Sequence, residues 1–205
     1  EALAAQIRRL QNRVNSLLNL SALEQGRLQI AWQACPVTGV LDSALAALQE
    51  SVAEKNVRIV REGPEELHLR ADPVLAEEIL QNILENALRY APEESAVTVR
   101  WAPVQTREGS AVQVSIRDEG PGIAEEDRAT LFQPFSPAQS RDRPAGRLHL
   151  GLYMAKQFIE AMGGRLAISS EPGRGTCVEL RFRAAPAVAT KPEKEDSHAQ
   201  SNPDR

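Results

Sequence analysis

The sequence predicts an α/β two-layer sandwich: a mixed, mostly antiparallel sheet with helices on one face, preceded by one long heptad-patterned helix. Three observations lead there. Segments of helical and strand period alternate as helix, strand pair, helix, strand pair, helix, strand pair. The strand segments alternate apolar and polar residues, so each has a single greasy face. The helices are likewise apolar along one side, which lets one helical layer cover one face of the sheet.

Composition fits a soluble globular protein, with 205 residues, 42% hydrophobic and 25% charged. A formal net charge of −4 argues against a nucleic-acid binder, which usually needs a basic face. No stretch approaches the roughly 18 continuous apolar residues of a membrane span, and no signal peptide opens the chain. No membrane contact is therefore expected within it. The chain starts at Glu1 rather than Met, which fits a piece of something longer. Cys35 and Cys177 lie far apart and outside any metal-ligand spacing, so a reduced, cytoplasmic setting is expected.

Residues 1–25 predict a helix whose apolar positions, Leu3, Ile7, Leu10, Val14 and Leu17, form a heptad seam. Gly26 supplies its stop. Such a helix is marginal alone and wants a partner helix or a second copy of itself, the alternative being that it folds back on the domain behind it. A second helical pattern runs from Val37 to Lys55, followed by strand segments at Val57–Val60 and Leu67–Ala71. Asp72-Pro73 is a helix start, an N-cap acid before proline at the first helical position. That helix runs to about Tyr90, before Pro92. Val97, Val99 and Trp101 share one face of the next strand, and Val112, Val114 and Ile116 one face of its successor. A short helix is expected around Glu125–Leu131, and another from Leu150 to Met162 that buries Leu152, Ala155, Ile159 and Met162. Gly163-Gly164 ends it. The last two strands turn Leu166 and Ile168, then Val178, Leu180 and Phe182, inward. Beyond Ala184 there is almost nothing to bury, so a disordered tail is expected.

The helix after Asp72 carries the first chemistry. Asn82 and Asn86, four residues apart, stack on one stripe that Arg89 and Tyr90 continue. Ile79, Leu80, Ile83, Leu84 and Ala87 form the opposite, packing side. Asparagine is a middling helix former, so a pair in mid-helix calls for a reason. Amide oxygens suit a hard cation that keeps its waters, a guanidinium suits phosphate, and a flat ring suits a base. The plainer reading is an exposed polar edge. The second element is Asp118-Glu119-Gly120-Pro121-Gly122. Asp118 continues the inward period of Val112, Val114 and Ile116, and a buried carboxylate needs a hydrogen-bond donor such as an exocyclic purine amine. The glycines allow close backbone approach, although an aspartate at a strand end is also a common turn residue.

Chain order ties these pieces together. After the asparagine helix and the glycine turn come Leu131-Phe132-Gln133-Pro134-Phe135, then Gly151-Leu152 opening a helix. This ordered set resembles the N, G1, F and G2 boxes of sensor histidine kinases, members of the superfamily that also holds gyrase, heat-shock ATPases and MutL. The opening VNSLLNLSALEQGRL resembles the second helix of their dimerisation and phosphoacceptor domain, and the resemblance covers roughly residues 1–183.

The resemblance implies the Bergerat-type sandwich, with residues 1–28 as dimerisation helix and linker, 29–184 as the catalytic ATP-binding domain, and 185–205 as tail. It implies ATP and Mg²⁺ as cofactors. Asn86 would hold Mg²⁺, with Asn82 in support, and Arg89 would contact phosphate. Tyr90 would stack beside adenine. Asp118 would accept the adenine amino group in a pocket shaped by Gly120, Gly122 and Ile123. Phe132 and Phe135 would anchor a lid, while Gly151 and Leu152 would open a helix whose N-terminus faces the phosphates. Thr176 would back the adenine pocket. The implied partners are a second copy of the chain, through the N-terminal helix, and a response regulator. The implied setting is cytoplasmic, including the cytoplasmic part of a membrane-anchored sensor.

The sequence departs from the family in two places. Where the G2 box has three glycines, Arg147, Leu148, His149 and Leu150 precede Gly151, with Gly146 out of register. Pro137 replaces a frequent arginine, for which Arg141, Arg143 or Arg147 could substitute. Phosphate-cradling turns rely on glycine, so adenine binding is expected to be better built than γ-phosphate handling. Furthermore, His68, His149 and His198 all lie outside the setting of an acceptor histidine, which must stand upstream or on another protein. Two other classes compete with the kinase. An ATPase of the same superfamily would need a glutamate base where Asn82 stands. A regulatory interaction module would bind nucleotide weakly or not at all.

Overall fold

A computed structural model describes residues 14, 17–128, 130–133 and 150–186. Residues 17–24 form helix α1, closed by Gly26 at φ +65°. The rest of the predicted heptad helix, the segment 134–149 and the tail from 187 onward lie outside the described residues. Leu20 of α1 is buried in the main core, with Leu23, Leu28 and Ile30 packed against it.

The elements that follow are β1 (Gln33–Pro36), α2 (Val37–Ala46), α3 (Gln49–Lys55), β2 (Arg58–Glu62), β3 (His68–Ala71) and α4 (Pro73–Tyr90). Then come β4 (Ala96–Thr106), β5 (Gly109–Asp118), α5 (Glu125–Arg128), α6 (Gly151–Ala161), β6 (Arg165–Ser170) and β7 (Thr176–Arg183). The main sheet has the order β2-β4-β5-β7-β6, with β2 parallel to β4 and every other pair antiparallel. Helix α4 packs against both α2 and α6 over this sheet. The predicted layer architecture is the observed one.

The core lies where the period-2 reading put it. Val97, Val99, Val112, Val114, Ile116, Leu180 and Phe182 face Ile79, Leu80, Ile83, Leu84 and Ala87 of α4, all buried. Each fully buried side chain of this size contributes roughly 1.5–3 kcal/mol by leaving water. The same alternation sends Arg100 and Arg117 to the solvent side.

Four details differ from the sequence reading. The pattern from Val37 to Lys55 is two helices, because Leu48 N–H bonds to Leu45 O (2.9 Å), a tight i→i+3 turn that interrupts the α ladder. The segments near 57–60 and 67–71 do not pair with each other. Strand β2 joins β4, and β3 pairs with β1, a short strand that alternation over four residues was too brief to reveal. Helix α5 stops at Arg128, short of Leu131. At α6 Ala155, Ile159 and Met162 are buried as expected and Met154 and Phe158 join them, while Leu152 is only half-buried against the core. Among the described residues no helix is long and apolar enough to cross a membrane.

Candidate functional site

The asparagine helix is anchored at both ends. At its start Asp72, itself buried, accepts from Val74 N–H (2.9 Å) and Leu75 N–H (3.3 Å) through Oδ1. Its Oδ2 accepts from Ala31 N–H at 2.8 Å, which ties the linker to the same cap. At the far end Lys55 Nζ donates to Arg89 O (2.6 Å) and Ala91 O (3.1 Å). A cation there satisfies carbonyls left over at the helix terminus and complements its dipole. Between these anchors Asn82, Asn86, Arg89 and Tyr90 are half-buried along one edge. The Arg89 guanidinium pairs with Glu85 one turn back at 2.9 Å.

The Asp118 turn meets the end of this helix. A Cβ on Gly120 would lie 2.8 Å from the Tyr90 carbonyl oxygen and 2.7 Å from Asp118 Oδ1, so only glycine fits without a shift. Gly122, at φ +72°, has the Glu171 carbonyl where a side chain would go. Asp118 is 5% exposed. Its Oδ1 accepts from Gly120 N–H (2.8 Å) and Thr176 N–H (3.3 Å). Burial pushes its carboxyl above the ordinary range, because desolvation penalises the anion more than these two amides stabilise it.

Asp118 is the end of a cross-strand row. In register it faces Thr176 on β7, which in turn faces Ser170 on β6. All three continue the inward periods of their strands. Ser170 Oγ lies 2.9 Å from Ile123 N, Gly175 O and Thr176 Oγ1. Gly173 N–H also bonds to Pro121 O at 2.7 Å, so the two glycine turns are joined.

Helix α6 closes the other side. Its first residue, Gly151, lies against Asn82, where an added Cβ would stand 2.8 Å from Oδ1. Among the described residues no side-chain hydrogen bond caps this terminus. Phe132 is half-buried, with Lys156 Nζ of α6 4.6 Å from its ring centre. Phe135 and His149 lie outside the described residues, as do Arg141, Arg143, Arg147 and Gly146.

The structure thus brings Asn82 to Gly151, Tyr90 to Gly120, and Asp118 to Thr176, with Ile123 linked to Thr176 through Ser170. Leu152, the second residue of α6, is half-buried against the core. Sequence reasoning missed Ser170, Lys55 and Lys156. Ser170 had a signal, since it continues the inward period of Leu166 and Ile168 just as Asp118 does on β5. Lys55 and Lys156 had none, because their partners are fixed by tertiary packing.

Fold and site together define a two-layer sandwich of the nucleotide-binding ATPase kind. The family model described as histidine kinase-, DNA gyrase B- and HSP90-like ATPase matches residues 71–186. The chain belongs to this family. It is 32% identical over 168 residues to the sensor protein GacS of Pseudomonas syringae pv. syringae, covering 80% of this chain and 18% of that one. It is 33% identical over 180 residues to the sensor protein KdpD of Rathayibacter rathayi, covering 86% and 20%. The chain spans about a fifth of the length of the curated relatives it matches. Among solved structures, the Acinetobacter baumannii histidine kinase AdeS matches with TM-score 0.67 at 22% identity, over 89% of this chain and 82% of that one. Full-length ShkA in complex with AMPPNP matches with TM-score 0.71 at 23% identity, over 92% and 39%. These two show the fold.

Proposed function

We propose that residues 29–184 are the catalytic ATP-binding domain of a two-component sensor histidine kinase. It presents the γ-phosphate of Mg·ATP to a histidine outside this chain, for relay to a response regulator. The observation that carries the reading is the buried Asp118 carboxylate, held by two backbone amides on Oδ1 beside a glycine turn that no side chain could enter. Burying an anion costs several kcal/mol, which a ligand donor such as the adenine amino group would offset.

The residues present fit both cofactors. The Tyr90 backbone carbonyl stands against the Gly120 turn, and in this reading its ring supplies a flat surface for the base. Asn82 and Asn86 are half-buried amides on the edge next to Gly151, and a hard cation that keeps several waters needs only one or two such oxygens. In this reading Asn86 holds Mg²⁺, Asn82 braces it, and the α6 N-terminus opened by Gly151 and Leu152 receives the phosphates. Arg89 exchanges Glu85 for phosphate. Gly122, Ile123 and Thr176 line the base, and Phe135 belongs to the lid. Mg²⁺ held there would neutralise phosphate charge, and the chain's part is positioning and electrostatic stabilisation. Residues 1–28 serve as dimerisation helix and linker, 185–205 as tail, and the setting is cytoplasmic.

Calorimetric titration with ADP and AMPPNP, with and without Mg²⁺, tests this. Micromolar binding strengthened by Mg²⁺ is expected. Absence of binding by either nucleotide would overturn the reading.

A further inference from the structure

Three arginines share one corner of the sheet, on the face opposite the helices. Arg181 and Arg183 alternate with the buried Leu180 and Phe182 along β7, so both turn to the open side. Arg165 of β6 is the register partner of Arg181. The Arg183 guanidinium lies over Gly163. A Cβ there would stand 2.8 Å from Nη2 and 3.0 Å from Cζ, so the guanidinium takes the place of the side chain that Gly163 lacks. Among the described residues none of the three is in an ion pair. Glu179, the acid on the same face of β7, is held by Gln113 Nε2 at 3.3 Å, and Arg181 reaches the oxygen of that amide at 3.5 Å. Arg181 Nε is buried without a hydrogen-bond partner. Like charges directly opposite each other destabilise a sheet, and a buried charged donor left unpaired adds its own cost. An anion seated among the three arginines would offset both.

The strands say what kind of anion fits. Among the described residues β6 ends the sheet order, so its outer edge offers backbone groups to a further strand. Arg165 and the guanidinium over Gly163 are two residues apart along that edge, which is the side-chain repeat on one face of a strand. A guanidinium matches a carboxylate through two parallel hydrogen bonds. We propose that this corner docks an extended acidic segment of a partner protein. The segment adds to β6 as a strand and sets carboxylates at alternate positions against Arg165, Arg181 and Arg183.

Fluorescence anisotropy of the 205-residue chain with a labelled peptide of alternating glutamate and threonine tests this. Binding that weakens with salt is expected. Arg165→Gln, Arg181→Gln and Arg183→Gln should each weaken it by about fivefold or more, the scale of one hydrogen bond to a charged group. Arg117→Gln, on the same face at the far end of β5, should leave it unchanged. Far-UV circular dichroism should be the same for all four variants. The same peptide with proline in place of threonine cannot bond to a strand edge and should bind about fivefold more weakly or worse. The proposal fails if the alternating peptide does not bind, if its affinity ignores the three arginines, or if the proline peptide binds as well. It also fails if phosphatidylserine vesicles or an equal concentration of inorganic phosphate displace the peptide, since the corner would then serve a membrane or a free anion.

Discussion

Gly151 stands so close to Asn82 that an added methyl would sit 2.8 Å from the amide oxygen. The helix that opens at Gly151 and the helix that carries both asparagines are therefore set against each other at one point. Gly151→Ala should push the Asn82 side chain out of place. Overpacking of this kind costs about 1–3 kcal/mol in a tight site. We expect the Mg²⁺-dependent gain in AMPPNP affinity to fall by about tenfold, roughly 1.4 kcal/mol, with ADP binding in the absence of metal nearly unchanged. Calorimetry with and without Mg²⁺ separates the two.

Asn86 has a simpler expected behaviour. It is half-buried on the polar edge of α4, away from the stripe that packs on the sheet. Asn86→Ala should abolish the Mg²⁺ dependence of nucleotide binding and leave the thermal midpoint close to wild type. Unchanged Mg²⁺-dependent affinity would remove the metal assignment.

Asp118 links binding to pH. Its carboxyl is raised above the ordinary 3.8 by burial. The folded chain therefore takes up a proton at higher pH than the unfolded chain does, and stability contributed by this group falls as pH rises through that window. The ionised form is thus a net cost to the folded chain. ADP affinity should drop on acidification before the exposed carboxylates titrate. Asp118→Asn keeps an oxygen for Gly120 and Thr176 but presents an amide donor to the base. It should raise the melting temperature of the nucleotide-free chain and weaken ADP binding by tenfold or more, on the order of one charge-assisted hydrogen bond.

Asp72 separates two roles by substitution. Asp72→Ala loses the cap of α4, about 1–2 kcal/mol, and also strands the Ala31 amide. Asp72→Asn can still cap through its oxygen while its amide group faces the Ala31 N–H, so only the linker bond is lost. Urea denaturation should place the asparagine variant between wild type and alanine.

Much of this was legible in the sequence because period carries burial. The alternation of Val112, Val114 and Ile116 delivered Asp118 to the interior, and the four-residue step from Asn82 to Asn86 delivered one polar edge. The proline after Asp72 marked the start of α4. What stayed hidden depends on partners distant in the chain. Nothing local says that β2 lies parallel to β4, that Leu45 and Leu48 close a tight turn, or that Lys55 reaches the end of a helix that begins after it. Ser170 was within reach of the same period argument that found Asp118. Its bonds were not, since these require knowing that Ile123, Gly175 and Thr176 surround one hydroxyl.

The row from Asp118 through Thr176 to Ser170 has a consequence for the order of folding. The asparagine helix and the β4–β5 hairpin are complete by residue 118, yet the rest of the row comes from strands that end at Ser170 and Arg183. Asp118 waits 58 residues for the amide of Thr176. Sequence separation of this kind slows assembly, because the intervening chain must be ordered first. During synthesis, then, the nascent domain carries the asparagine helix well before this row can close. It closes only at the last step, when β7 slides in between β5 and β6 and the carboxylate finds its second amide.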